Sequence, residues 1–410
     1  MASLFIRHHP ILQGEVNHLP ASKSMSNRAL LLSALSGNRS VISNLATARD
    51  TVLMKSLLDS PDLTGDVMDA GTTMRFLTAY YAVTGQHKIL TGTPRMKERP
   101  LALLVDALRS LGAHIDYLEK PGFPPLEIKG FGGQKATSVT IAGNVSSQYI
   151  SALMMISPVL PQGLSIELEG KVGSRPYIHM TASMMRLFGA DCQVQNNHIH
   201  IAPGKYRPID ITIEPDWSAL SYWYALVALA AEGELVLNGV NSFSLQGDRV
   251  IVDIMEALGV KTTFKNNGAL LTRHKPVGQS LEWDFTNCPD LAQTVLPVCA
   301  LKGVRGTFSG MESLYIKETD RIRALQQELA KVGARLYEMS SGVFRLEPAK
   351  AVSVRQVEIA TYHDHRMALG FAPWATRMNL HIAEPEVVNK SYPEFWDHLR
   401  QVGFEIQSSS

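Results

Sequence analysis

Residues 105–118 read Val-Asp-Ala-Leu-Arg-Ser-Leu-Gly-Ala-His-Ile-Asp-Tyr-Leu, and the rest of the chain is organised around this pattern. Val105, Leu108 and Leu111 fall at the spacing of one helix face. Gly112 follows where a left-handed helix end is wanted, and His114 to Leu118 has the character of a short strand. The same step from apolar residue to glycine to strand recurs at Phe188-Gly189, Leu258-Gly259, Val332-Gly333 and Val402-Gly403. Successive glycines lie 77, 70, 74 and 70 residues apart, a near-regular period that marks a repeated unit. Asp50 to Leu58 resembles a sixth helix of this kind, but Ser60-Pro61-Asp62-Leu63 stands where its glycine and hairpin belong. That copy is expected to be degenerate and shortened.

A second helix type opens after a strand and a small polar turn. Val67 to Thr73 precedes Met74 to Val83, Val139 to Ser147 precedes Gln148 to Ile156, and Ile211 to Ser218 precedes Ala219 to Ala231. Each unit therefore holds two strand-to-helix passages and a hairpin, and six units divide into two groups of three. Repeats that cannot bury their apolar faces alone must stack, which gives the class α/β, or α+β in some schemes.

Bulk properties agree with two domains, since 410 residues exceed what one core usually serves, about 250 to 300. Hydrophobic content of 45% excludes a disordered chain. With 39 basic against 38 acidic residues there is no global bias toward a nucleic acid or a membrane surface, so anion binding has to come from local clusters. Cys192, Cys288 and Cys299 are odd in number and lack paired spacing, which argues against a disulfide framework and a zinc site. No signal or transit segment is evident, and the most apolar stretch, Tyr222 to Ala231, is shorter than the roughly 18 residues of a membrane span. A cytoplasmic protein is expected.

Several helix starts carry cations and hydroxyls together, as anion sites do. Ser22-Lys23-Ser24-Met25-Ser26-Asn27-Arg28 runs into an apolar helix, offering N–H groups, a point charge and a planar fork. Asp69-Ala70-Gly71-Thr72-Thr73-Met74-Arg75 allows close backbone approach at Gly71 but lacks the ending of a Walker loop. Pro94-Arg95-Met96-Lys97-Glu98-Arg99-Pro100 places three cations before a helix expected to begin at Pro100. Ser146-Ser147-Gln148 and Ser174-Arg175-Pro176-Tyr177 open two more helices. In the C-terminal half a helix is expected to start within Ile316-Lys317-Glu318-Thr319-Asp320-Arg321, making Lys317 and Arg321 i,i+4 neighbours, and another at Tyr362-His363-Asp364-His365-Arg366-Met367. The His363-x-His365 spacing is a poor metal site, because side chains two apart on a helix diverge.

Taken in order, SKSMSNRALLL, DAGTTMR, RMKERP, SSQ, SRPY, the Pro289-Asp290 pair, KETDR, HDHRM and Asn389-Lys390-Ser391-Tyr392-Pro393 resemble the EPSP synthase family of enolpyruvyl transferases from about residue 20 to residue 396. The resemblance implies an inside-out α/β barrel of two domains, each of three βαβαββ repeats. It implies domain boundaries near residues 20 and 214: residues 1–20 with 215–410 in one domain and 21–214 in the other, with substrates expected between them. It also implies phosphoenolpyruvate and shikimate 3-phosphate as substrates, no cofactor, no metal, no nucleic-acid or membrane partner, and a monomer.

By the same resemblance, shikimate 3-phosphate would be bound by Lys23, Ser24, Arg28, Ser146, Ser147, Gln148, Ser174, Tyr177, Asp290, Ser313 and Lys317. Phosphoenolpyruvate would be bound by Lys23, Gly71, Arg99, Gln148, Arg321, Arg366 and Lys390. The 5-hydroxyl of the acceptor attacks C2 of phosphoenolpyruvate while C3 gains a proton, and loss of a C3 proton and phosphate gives the enol ether. Asp290 would accept the hydroxyl proton, Glu318 would serve C3, and Lys23 would stabilise developing charge and the leaving phosphate. Three departures from the family pattern stand out: Phe76 for proline, Ala21 for glycine and Ser313 for asparagine. Phe76 is expected to change how its helix presents Gly71 and Thr72 to phosphoenolpyruvate or glyphosate. The competing readings are the sister transferase acting on UDP-N-acetylglucosamine, which should carry a reactive cysteine, and a non-catalytic anion-binding relative.

Overall fold

In the computed structural model, which describes residues 3–143, 146–276 and 278–409, the chain forms two compact units. The first comprises Met1–Ala21 and Glu214–Ser410, and the second Ser22–Ile213.

One sheet of the first unit shows the plan shared by the five four-stranded sheets among the described residues. Strand Ser280–Asp284 runs parallel to Arg305–Ser309, which pairs antiparallel with Val343–Glu347, which in turn pairs antiparallel with Arg335–Ser340. The sheets containing Thr64–Asp66 and Ser138–Ala142 in the second unit follow the same order. In the first unit, Ile11–Val16 pairs parallel with Glu232–Asn238, a strand reached only after the chain has built the second unit. Strand Ser3–Ile6 takes the hairpin place in a further sheet, pairing antiparallel with both Asn379–Ala383 and Ile406–Ser409.

The degenerate copy is the two-stranded sheet Val41–Ser43 with Asp210–Thr212. Helix Arg49–Asp59 ends at Ser60 in extended backbone, without a left-handed glycine, and the chain passes directly to Thr64–Asp66. At the five other copies the glycine is left-handed, as at Gly112, where φ is 113° and an added Cβ would lie 2.0 Å from the Gly133 carbonyl oxygen.

Two helix types do different work. Helix Gly71–Val83 is buried at every position except Thr72 and Val83, and Trp217–Leu229 at every position except Ser218. A helix apolar on all sides belongs in the interior of its unit. By contrast, Ala102–Leu111 buries only Leu104, Val105, Leu108 and Leu111, and the strands alternate buried with exposed positions. Within each unit, helices thus fill the centre and sheets present one face to water.

Three expected helix starts move. Residues 94–97 form their own short turn, and the next helix begins at Ala102 because the Leu101 amide donates to the Gly122 carbonyl instead of entering the helix. The helix after Lys317 begins at Arg321, capped by Asp320, so Lys317 and Arg321 are not neighbours on a helix face. The helix expected at Tyr362 begins at His365, capped by Asp364, with Tyr362 and His363 in left-handed backbone. In the last two cases an aspartate side chain takes the first free amides, which sets where helical geometry starts. Among the described residues no helix is long and apolar enough to cross a membrane.

Candidate active site

In the first unit, four elements bring charged side chains together. The turn Pro289–Leu291 carries Asp290, the segment before helix Arg321–Ala330 carries Lys317 and Glu318, that helix opens with Arg321, and His365–Phe371 presents Arg366 from its first turn. Arg321 is 1% exposed and is their hub. Its Nη1 donates to Asp290 at 2.9 Å, Nη2 to Glu318 at 3.0 Å, and Nε to Asp364 at 2.7 Å. Arg366 Nη2 donates to the other Asp290 oxygen at 2.9 Å and Nη1 to the Tyr222 hydroxyl at 3.2 Å. Lys317 lies 3.5 Å from Asp290, and Lys390, at the end of the turn Pro385–Lys390, lies 3.8 Å from Glu318.

Four cations therefore face Asp290, Glu318 and Asp364. Burial pushes the Asp290 carboxyl up, but Arg366, Lys317 and Arg321 outweigh it and hold the group well below the usual carboxylate range, with Glu318 opposing them. Arg321 is pushed up, its own burial being overcome by Asp364, Glu318 and Asp290. Lys317 is pushed down, chiefly by burial. The arrangement can bind anions through Arg366, Lys317 and Lys390 while two carboxylates stand beside them to move protons.

In the second unit, Ser22 caps helix Lys23–Leu35, and Lys23 Nζ lies 3.2 Å from the buried Asp50 carboxylate. Arg28, one turn on, is 2% exposed. Its three nitrogens donate to the Thr181 hydroxyl at 2.7 Å, the Ser24 carbonyl at 2.9 Å and the Ser151 hydroxyl at 3.0 Å. Its guanidinium also faces the rings of Phe76, 5.4 Å to the centroid, and Tyr177, 5.9 Å. Burial pushes Arg28 down to about 10.

Gly71 begins its helix beside two guanidinium groups: an added Cβ would stand 2.6 Å from Arg75 Nη1 and 2.7 and 2.8 Å from the Arg99 Nη1 and Nη2. The Gln148 amide nitrogen donates to the Thr72 hydroxyl at 2.8 Å. Ser146 caps the helix that contains Ser147 and Gln148, and Ser174 sits in left-handed backbone before Arg175–Leu187.

Ser313 is exposed in the turn Glu312–Ile316 and, among the described residues, makes no hydrogen bond to the charged cluster. Several participants carry no assignment from sequence: Asp364, Tyr222 and Ser218 in the first unit, and Asp50, Arg75, Ser151 and Thr181 in the second. Asp364 lies inside a quoted motif, and its place directly before a helix start was its signal. Arg75 closes another quoted motif, Ser218 is the one half-buried position of its helix, and Tyr222, Asp50, Ser151 and Thr181 sit on buried helix faces, where sequence periodicity indicates only core. Cys192, Cys288 and Cys299 are all buried, and burial pushes their thiols up to about 11, 12 and 12, the opposite of a reactive thiolate.

The sequence profile of the family described as EPSP synthase (3-phosphoshikimate 1-carboxyvinyltransferase) matches residues 6–60 and 55–399. A 3-phosphoshikimate 1-carboxyvinyltransferase of Bacteroides fragilis is 45% identical over 391 residues, covering 95% of each chain. One from Klebsiella pneumoniae is 34% identical, covering 98% of this chain and 99% of its own. The solved EPSP synthase of Acinetobacter baumannii superposes over the whole of both chains with a TM-score of 0.77 at 19% identity, a likeness of fold.

Proposed function

The chain belongs to the EPSP synthase family and is an enolpyruvyl transferase of the shikimate pathway; we propose that the two residue groups described above carry its reaction between phosphoenolpyruvate and shikimate 3-phosphate. In the second unit, Lys23, Gly71, Arg99 and Gln148 bind phosphoenolpyruvate, and Lys23, Ser24, Arg28, Ser146, Ser147, Gln148, Ser174 and Tyr177 bind shikimate 3-phosphate. In the first unit, Arg321, Arg366 and Lys390 take charge of phosphoenolpyruvate, and Asp290, Lys317 and Ser313 serve the acceptor. Each phosphate brings a charge of about −1.5 to −2. That demand explains why a chain with a net charge of +1 concentrates cations at these helix starts.

Asp290 accepts the proton of the attacking hydroxyl, and Glu318 delivers a proton to C3 and recovers one during elimination. A carboxylate held as low as Asp290 is a weak base. Anionic substrates that take up Arg366 and Lys317 share the pull of those cations and raise its proton affinity, so the base becomes effective only with substrate bound. Lys23 steadies the charge on the departing phosphate. The observation that carries the reading is Arg321 holding Asp290 and Glu318 at 2.9 and 3.0 Å, two carboxylates fixed beside anion-binding cations. The three buried, unreactive thiols favour this acceptor over UDP-N-acetylglucosamine.

Phosphate release from phosphoenolpyruvate, with and without shikimate 3-phosphate, tests it. Release is expected to depend on the acceptor and to fall at least ~100-fold in Glu318→Gln. Acceptor-independent release, or a Glu318→Gln variant of full activity, would overturn the reading.

A further inference from the structure

Linked to Arg366 through the Ser218 hydroxyl lies a carboxylate that the mechanism does not use. Asp248, in the turn Gly247–Val250, is 2% exposed. One of its oxygens accepts a short hydrogen bond from the Ser218 hydroxyl, and the other is buried without a hydrogen-bond partner among the described residues. With its proton engaged by Asp248, Ser218 turns a lone pair toward Arg366 Nη2, 3.4 Å away, and the same nitrogen donates to Asp290 at 2.9 Å. Tyr222, one turn along the helix from Ser218, accepts from Nη1 at 3.2 Å. Asp248, Ser218, Arg366 and Asp290 thus form one continuous chain of polar contacts.

We propose that Asp248 is a positioning residue for phosphoenolpyruvate binding, acting through the Ser218 hydroxyl to fix the orientation of the Arg366 guanidinium. The inference rests on the assignment of Arg366 to phosphoenolpyruvate. An ionised Asp248 can only accept, so it commits the Ser218 proton and leaves the serine oxygen as an acceptor for Arg366. A protonated Asp248 can donate to the serine oxygen instead, taking one of its lone pairs and leaving the serine O–H free to rotate, so Arg366 no longer faces an acceptor held in one orientation.

The groups that act on Asp248 place this switch within the working range. Burial is the largest influence, Asp290 and Asp216 add to it, and Arg366 and the Ser218 hydrogen bond oppose it, leaving the group pushed up to about 6. Cys288 also faces it, but the thiol is pushed up to about 12 and stays neutral. With a folded-state value above its unfolded one, an ionised Asp248 weakens folding as pH rises toward neutrality. A carboxylate kept for stability alone would not behave this way.

The test is the KM for phosphoenolpyruvate, and its affinity by calorimetry in the presence of shikimate 3-phosphate, in wild type, Asp248→Asn, Ser218→Ala and the double variant from pH 5 to 8. At pH 8 each single variant should weaken phosphoenolpyruvate about 3- to 10-fold, the worth of one hydrogen bond, with a smaller change in kcat. The double variant should be no worse than either single one. The wild-type advantage over Asp248→Asn should shrink toward unity as pH falls through about 6. The substrates' own phosphate ionisation, with a pKa of about 6, is common to both proteins and cancels in that ratio. Asp248→Asn should melt no lower than wild type at pH 8, which separates positioning from a structural role. Unchanged phosphoenolpyruvate affinity in either folded variant, or a ratio independent of pH, overturns the inference. If Asp248→Asn does not fold, Ser218→Ala decides it alone. Wild type that binds no phosphoenolpyruvate overturns the functional reading itself, a result distinct from failure of the variants to differ.

Discussion

Substituting Gly71 by alanine separates the geometry of anion binding from the stability of its helix. The added Cβ would stand 2.6 Å from Arg75 Nη1 and 2.7 Å from Arg99 Nη1, against 3.4 Å for ordinary contact, so the Arg99 fork must retreat by about 0.7 Å. Arg99 is 9% exposed and cannot simply swing into water. A charge-assisted hydrogen bond of about 2.8 Å stretched by that amount is largely lost, and such a bond contributes about 1.5 to 3 kcal/mol. The KM for phosphoenolpyruvate should therefore rise about 10- to 150-fold. The helix should not suffer, because Gly71 has no positive φ and alanine stabilises a helix position by up to about 1 kcal/mol over glycine. Steady-state kinetics at saturating shikimate 3-phosphate, with a thermal melt on the same preparation, measure both quantities. An unchanged KM for phosphoenolpyruvate in a folded Gly71→Ala protein would refute the assignment of Arg99 and Gly71 to that substrate.

Two further perturbations read other parts of the site. Phe76→Leu removes one of the two rings facing the buried Arg28 guanidinium, a contact of about 1 to 2 kcal/mol, so the KM for shikimate 3-phosphate should rise about 5- to 30-fold while that for phosphoenolpyruvate changes little; equal shifts in both constants would place the effect in the whole helix instead. Asp290, held below its unfolded value of 3.8, contributes stability that is fully present above about pH 4 and is lost as pH falls further. Urea unfolding of wild type should therefore weaken steeply between pH 4 and 2, and Asp290→Asn should flatten that slope; an identical slope would mean that Asp290 is not held ionised by its neighbours.

The contact between Phe76 and Arg28 bears on a departure noticed in the sequence. A residue standing where family members carry proline was expected to alter the presentation of Gly71 and Thr72. In the structure Phe76 continues the helix Gly71–Val83 without a break and buries its ring against Arg28. Its nearest consequence is therefore for the cation expected at shikimate 3-phosphate.

The repeat, its period and its missing hairpin were legible in sequence because they rest on local physics. A glycine after an apolar helix face accepts left-handed backbone wherever the chain goes next, and Ser60-Pro61-Asp62-Leu63 lacks that residue in any context. The cation-bearing helix starts were legible for the same reason, since their residue types are locally constrained, whereas Asp290, Lys390 and the roles of both carboxylates were legible only through the family resemblance. What no stretch of sequence could hold is Arg321 reaching Asp290, 31 positions away, and Asp364, 43 positions away. Nor could it hold the link from Asp248 through Ser218 to Arg366. Those partners lie on separate elements, and whether a buried carboxylate meets an arginine or a hydroxyl is decided only when packing has set the distance between them and removed the water that would otherwise compete.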